Sequence, residues 1–279
     1  MRIGIRLHDT APGTLKERLG FARDQGFCCA HVALSKVLDG FDMKDAREKL
    51  TEEFAASVRQ DFRDTGMDCA VLGCYLNLAD PDGERRKKTQ EIYRAHLRFA
   101  AMIGAGVVGT ETYANPDSRF AEPAARSEEA FRLFADSLKT VVRFAEEAGA
   151  VLAVEPVYHH IISTPERAER MLEAVPSDHL QIILDAVNLI GPEDAERAPA
   201  MIDDAVRRLG DRVRILHMKD FVLLPEGKMR SCACGTGSMR YERLLAFAAA
   251  RDLPMTLEDT VPDNAEEARL HLERIAAGL

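Results

Sequence analysis

The sequence predicts a single closed barrel of eight parallel strands, each followed by a helix: a (β/α)8 or TIM barrel. Three observations predict it. Short runs rich in Val, Ile and Leu alternate with longer helical stretches eight times over 279 residues, the length such a barrel needs. Runs such as Val151–Val154 and Ile182–Leu184 are almost wholly apolar, as expected of parallel strands covered on both faces. The first run leads into His8-Asp9-Thr10-Ala11-Pro12-Gly13, without the G-x-G-x-x-G turn that opens a doubly wound sheet. No Pro/Gly/Ser-rich linker divides the chain, so residues 1–279 read as one domain.

In order, strands are predicted over Arg2–His8, Cys28–Leu34, Met67–Leu76, Gly106–Thr112, Ala150–Pro156, Leu180–Asp185, Val213–Asp220 and Met255–Thr260. Helix punctuation agrees with them. Thr14 and Glu17 form a capping-box pattern, in which each side chain satisfies an orphan backbone N–H of the first turn. Thr164-Pro165-Glu166 places an N-cap before a proline at the first helical position, and Asn264 opens the last helix in the same style. Phe131, Phe134, Leu138, Val141, Val142 and Ala145 recur at helical spacing. Gly26, Gly66, Gly104 and Gly149 follow helical stretches, where a left-handed cap favours glycine.

Composition excludes several classes. The chain is 46% hydrophobic and 30% charged, values of an ordinary globular protein. Its net charge of −9 disfavours nucleic acid and anionic membranes as partners. No run reaches the roughly 18 apolar residues of a membrane helix, and the N-terminus lacks a secretory layout. A cytoplasmic location and a small-molecule partner follow as expectations; a homo-oligomer is compatible with the sequence. The six cysteines, Cys28, Cys29, Cys69, Cys74, Cys232 and Cys234, have neither CxxC nor zinc-finger spacing and read as reduced thiols.

In a TIM barrel the reactive groups project from the carboxyl ends of the strands. Four consecutive predicted strands break there into polar residues: Val154-Glu155-Pro156, Leu184-Asp185-Ala186, Leu216-His217-Met218 and Leu257-Glu258-Asp259. Three carboxylates converging on one rim repel one another unless protons or a cation neutralise them. A mixed carboxylate and imidazole set suits Mn²⁺, Co²⁺, Zn²⁺ or Mg²⁺. Each residue alone reads as a cap or a salt-bridge partner; the coincidence on successive strands predicts a metal site. His159 and His160 follow Glu155 in the fifth loop, Lys219 follows His217, Glu111 and Tyr113 crown the fourth strand, and His8 crowns the first. With Asn188, three residues after Asp185, all are candidates for contact with substrate.

These strand ends resemble the xylose isomerase-like sugar-phosphate isomerase/epimerase superfamily over essentially the whole chain. The resemblance is carried by Glu155, Asp185 in Leu-Asp-Ala-Val-Asn, His217 in Leu-His-Met-Lys-Asp, Glu258 in Leu-Glu-Asp, and the segment Gly235-Thr236-Gly237-Ser238-Met239-Arg240-Tyr241. It implies one divalent ion, often Mn²⁺, on the four ligands, and a carbohydrate substrate. It also implies that Glu155 and Glu258 exchange protons with substrate carbons. Two positions depart from the ketose 3-epimerase branch: Asn188 stands where that branch has a substrate-binding His, and Leu223 where it has an Arg. The nuclease branch needs further histidines, which the ends of strands three and four do not supply. An isomerase or epimerase is therefore expected, with an inosose-dehydratase-like lyase and a non-catalytic, metal-stabilised sugar-binding protein as alternatives.

Overall fold

The protein is described here by a computed structural model covering residues 1–112 and 124–279; Tyr113 lies outside the described residues. Ten strands are present among them: β1 (Arg2–Arg6), β2 (Cys29–Val32), β3 (Asp68–Gly73), β4 (Val107–Glu111), β5 (Leu152–Glu155), β6 (Leu180–Asp185), β7 (Val213–Met218), β8 (Asp220–Leu223), β9 (Met229–Cys232) and β10 (Pro254–Leu257). Eight close into a barrel in the order β1-β10-β7-β6-β5-β4-β3-β2, and every pair is parallel. The predicted (β/α)8 barrel is the observed fold.

Helices over Leu15–Asp24, Glu52–Thr65, Gly83–Ile103, Glu128–Ala148, Pro165–Ala174, Ala198–Leu209, Glu242–Arg251 and Ala265–Ala276 surround it. Their apolar faces and the outer faces of the strands form one large core, including Leu19, Phe62, Leu97, Phe134, Leu138 and Leu272. Thr14 and Glu17 make the expected capping box. Thr164 caps the helix that begins at Pro165, and Gly66, Gly104 and Gly149 adopt left-handed caps. Asn264 departs from expectation: its side chain does not cap the last helix but accepts the Val261 N–H, closing the turn before it. No described helix is long and apolar enough to cross a membrane, and all six cysteines are unbonded thiols.

Two differences from the sequence reading bear on the site. Most strands are shorter than predicted, because the carboxyl ends leave the ladder as they enter the rim; Leu7–Asp9 is already a 3-10 turn, so His8 stands beyond β1. The predicted strand Val213–Asp220 divides into β7 and an antiparallel hairpin, β8 and β9. Asp220 explains the break. Its carboxylate accepts the backbone N–H groups of Phe221, Gly235, Gly237 and Met239, a local network that competes with continued pairing in the barrel.

β1 and β2 lie so close that only glycine fits at position 4. A Cβ there would stand 2.3 Å from the Cys29 carbonyl oxygen and 2.5 Å from its Sγ. Gly4→Ala is therefore expected to destabilise by about 1–3 kcal/mol, the range for overpacking a rigid core. Gly20→Ala, in a helix with nothing within 4 Å of the added methyl, is expected to stabilise by about 0.5–1 kcal/mol. Paired urea denaturation curves check both; shifts of the same sign contradict this account.

Candidate functional site

Strand alternation builds the site. Cys29, Val71, Val107, Ala153, Ile183 and Ile215 fill the barrel interior as a cluster separate from the helix-facing core. Two residues further along the same strands stand His31, Gly73, Gly109, Glu155, Asp185 and His217, on the same face because side chains repeat every second residue. The interior is thus apolar at one end and densely polar at the carboxyl ends of the strands. A separate cavity of about 520 Å³ opens at the opposite end of the barrel, lined by Arg2, Asp68, Arg214 and Arg251 among others; it lacks this cluster of carboxylates and imidazoles.

The structure brings Glu155, Asp185, His217 and Glu258 together, all buried. Asp185 and His217 are register partners across β6 and β7, and the Glu258 N–H donates to the Met218 carbonyl. His217 Nδ1 lies 3.0 Å from Glu155 Oε2 and 3.2 Å from Glu258 Oε1. Neither approach has the alignment of a hydrogen bond, and both ring nitrogens of His217 lack a hydrogen-bond partner. Glu155, Asp185 and His217 offer ligand atoms within 4.8 Å of one another, as do His31, His217 and Glu258.

Fixed cations hold part of this charge. Lys219 Nζ stands 3.0 Å from Asp185 Oδ2 and 3.1 Å from Glu258 Oε2. Arg6, at the end of β1, places Nη1 3.2 Å from the same Glu258 oxygen and Nη2 3.0 Å from Asp259 Oδ1, while its Nε donates to Asp9. Asn188 donates its side-chain amide to Glu155 Oε1, and its backbone N–H donates to Asp185 Oδ1. Lys219 and Asn188, read from the sequence as substrate contacts, are turned instead toward the carboxylates. Lys219 pairs with these acids and not with its neighbour Asp220.

The remaining sequence candidates lie further out. Glu111, the register partner of Glu155, is half-buried with Oε2 3.7 Å from His160 Nδ1. His160 is buried and His159 exposed, and His160 meets the carboxylate cluster through Glu111. His8 is half-buried on the turn after β1. Sequence reading missed Arg6, His31 and Tyr75. His31 carried a usable signal: it breaks the apolar run Cys28–Leu34 just as Glu155 and Asp185 break theirs.

Burial disfavours the charged form of every carboxyl here, and neighbours then separate them. Burial and the adjoining Glu258 charge push Glu155 up to about 7. Burial raises Asp185 to about 6, against the pull of Lys219. Burial, Glu155 and Glu258 lift Glu111 to about 8. In Glu258 burial acts upward too, but attraction to His217, Lys219, His31 and Arg6 outweighs it and holds the group well below the usual carboxylate range.

The donor set fits a divalent cation. A buried imidazole with both nitrogens unpartnered, facing carboxylate oxygens at about 3 Å without hydrogen-bond alignment, is costly as it stands. His217 and each glutamate in turn stand at the spacing that two bonds of roughly 2.0–2.2 Å to one ion impose, and His217 is shared by the two triads of possible ligands. Lys219 and Arg6 balance only two of the three carboxylates.

Without an ion, the cluster makes stability depend on pH. Glu155 and Glu111 take up protons near 7 and 8 in the folded chain but near 4.5 when unfolded. As pH rises, the unfolded chain ionises first and gains stability, so the folded state loses ground through both folded values. His8 and His160, lowered by burial to about 4 and about 3, cost stability only as pH falls below 6.5. In chelator-treated Cys28→Ser protein, which lacks the thiol whose lowered proton affinity acts with the opposite sign in this window, the melting temperature should therefore fall between pH 6.5 and 8, by a few degrees for about 1–2 kcal/mol. A flat or rising melting temperature across that window contradicts the assignment.

No curated protein sequence matches this chain. Among solved structures, a D-tagatose 3-epimerase-like protein aligns with a TM-score of 0.77 at 15% identity, covering 99% of this chain and 97% of that one. The apo form of 3-keto-D-glucoside 4-epimerase, YcjR, from E. coli aligns with a TM-score of 0.75 at 19% identity, covering 98% and 99%. The IOLI protein with a bound zinc atom gives 0.73 at 16%, covering 100% and 97%. At these identities the likeness establishes the fold. The family model for the xylose isomerase-like TIM barrel matches residues 21–276, and the chain belongs to that family.

Proposed function

We propose that the protein is a divalent-metal-dependent isomerase or epimerase of a small sugar or sugar derivative, with Glu155 and Glu258 as its proton carriers. One observation carries the reading: two buried glutamates face the same imidazole nitrogen from different strands, at 3.0 and 3.2 Å, in environments that push their proton affinities apart. The fold relatives described as a 3-keto-D-glucoside 4-epimerase and a D-tagatose 3-epimerase-like protein support the substrate class.

Glu155, Asp185, His217 and Glu258 would hold the ion. When bound it supplies Lewis acidity toward the adjacent oxygens of an α-hydroxy carbonyl, which acidifies the C–H between them. The protein's own residues do the rest. Glu258, kept anionic by Lys219 and Arg6, takes the proton from that carbon. Glu155, on the other side of the same imidazole, returns one to the adjoining carbon or to the opposite face. Matching each group's proton affinity to its task is what general acid–base catalysis requires. Asn188 and Lys219 hold the carboxylates in place by occupying their second oxygens. Glu111, His160 and His8 stand further out, where they contact substrate hydroxyls.

Protein stripped of metal and reloaded should bind about one tight divalent ion per chain, the stoichiometry of a single mixed site. The Mn²⁺-loaded protein, incubated with a sugar panel in D₂O, should wash deuterium into the α-carbon of at least one ketose or aldose. Absence of exchange across a broad panel favours the non-catalytic binding protein, whereas a product lighter by one water assigns the lyase. At saturating metal, Glu155→Gln and Glu258→Gln should each lose about 10²–10⁴-fold in turnover, the usual contribution of a general acid or base. Asp185→Asn should be impaired chiefly in metal affinity. Rescue of both glutamine variants by excess metal refutes the proton-carrier roles.

A further inference from the structure

We propose that Arg6 is a positioning residue of the metal centre: its guanidinium brackets Asp9, Glu258 and Asp259 and holds the chain after β10 in the bend that turns the Glu258 carboxylate toward His217. The inference rests on the metal site proposed above and gives Arg6 a role there beyond its charge.

β10 ends at Leu257, and Glu258 is the first residue beyond it. The chain then bends through Asp259, whose φ of 57° lies in the left-handed region, costly to any residue with a Cβ. Among the described residues the other non-glycine with positive φ is Asp252, which caps the end of a helix, a common place for that conformation. Asp259 ends no helix. Its bend is held from across the barrel, by β1.

Arg6, the last residue of β1, uses every edge of its guanidinium. Nε donates to Asp9 Oδ1 at 3.1 Å, Nη1 to Glu258 Oε2 at 3.2 Å, and Nη2 to Asp259 Oδ1 at 3.0 Å. Asp9 in turn accepts the Thr260 backbone N–H through Oδ2. Residues 258, 259 and 260 are thus each tied to Arg6 or to its partner, and Glu258 Oε1 is left facing His217 Nδ1 at 3.2 Å. A planar fork of five N–H donors serves three carboxylates at once, whereas an ammonium is a point charge on a flexible stem.

Charge and position predict opposite signs. A fixed cation beside a ligand oxygen repels a divalent ion, so removing Arg6 as a mere counter-charge would strengthen metal binding. Removing it as a bracket lets the bend relax and misplaces Glu258, so binding weakens.

In competition titrations with Mn²⁺ and Zn²⁺, Arg6→Met and Arg6→Lys should both bind about 10–100-fold more weakly than wild type, the usual worth of a partner behind a metal ligand. Lysine keeps the charge, so its failure isolates the fork. Arg6→Met/Asp259→Gly should regain most of the loss, because glycine adopts the bend unaided. Arg6→Met/Asp259→Ala removes the same carboxylate but should stay weaker than the glycine variant by at least about fivefold. Without metal, NMR of aspartate-labelled protein should show the strong intraresidue amide–Hα NOE of a left-handed residue at Asp259 in wild type and not in Arg6→Lys. Equal or tighter metal binding in Arg6→Met, wild-type affinity in Arg6→Lys, or a bend that survives in Arg6→Lys overturns the proposal and leaves the metal site standing. A wild type that binds no divalent ion overturns both.

Discussion

Three carboxylates buried around one point set the terms for the rest of this structure. Two like unit charges about 4 Å apart repel by roughly 4 kcal/mol even at an effective dielectric near 20, and desolvation adds to that. Glu155, Asp185 and Glu258 come from three different strands and are each almost fully buried. Their neighbourhood is organised to bear it. Lys219 bridges Asp185 and Glu258, Arg6 reaches across from β1 to Glu258, and the Asn188 amide serves Glu155. These contacts neutralise two charges, and a divalent ion would satisfy what remains, including one of the two unpartnered nitrogens of His217.

The same period-two alternation that fills the barrel also assigns the roles. Along β7 and just beyond it, Ile215, His217 and Lys219 face inward in succession. Met218 and Asp220 face outward, and Asp220 spends its carboxylate on four backbone N–H groups of the segment from Phe221 to Met239. One tetrapeptide, His217-Met218-Lys219-Asp220, thereby supplies an imidazole, a core contact, a counter-cation and the anchor of the following loop. The apolar lower half of the barrel, from Cys29 to Ile215, keeps bulk water away from the charges above it and strengthens every interaction among them.

Much of this was legible in the sequence. Eight alternations predicted the barrel, and the end of an apolar run is where an inward strand position becomes polar, so Glu155, Asp185, His217 and Glu258 announced themselves. What was not legible depended on geometry between distant strands. Nothing local distinguishes Lys219 as a counter-cation from Lys219 as a substrate contact; that is settled by Asp185 and Glu258 arriving from β6 and beyond β10. Arg6 looked like an ordinary charge in a short first strand, yet its partners are Asp9 on the next turn and Glu258 and Asp259 at the far end of the chain. The hairpin of β8 and β9 was hidden because Asp220 reads as the polar end of a strand until its backbone partners are seen. Asn264 shows the converse: a capping residue type whose side chain closes the preceding turn.

The central claim is that one divalent ion completes the charge of this cluster. Anomalous diffraction from crystals grown with Mn²⁺ or Zn²⁺, recorded on both sides of the metal's absorption edge, tests it most directly. The account predicts one strong peak in contact with Glu155, Asp185, His217 and Glu258, with Lys219 still paired to Asp185 and Glu258. A barrel whose carboxylates are held by Lys219, Arg6 and Asn188 alone, with no anomalous peak among them, would contradict it.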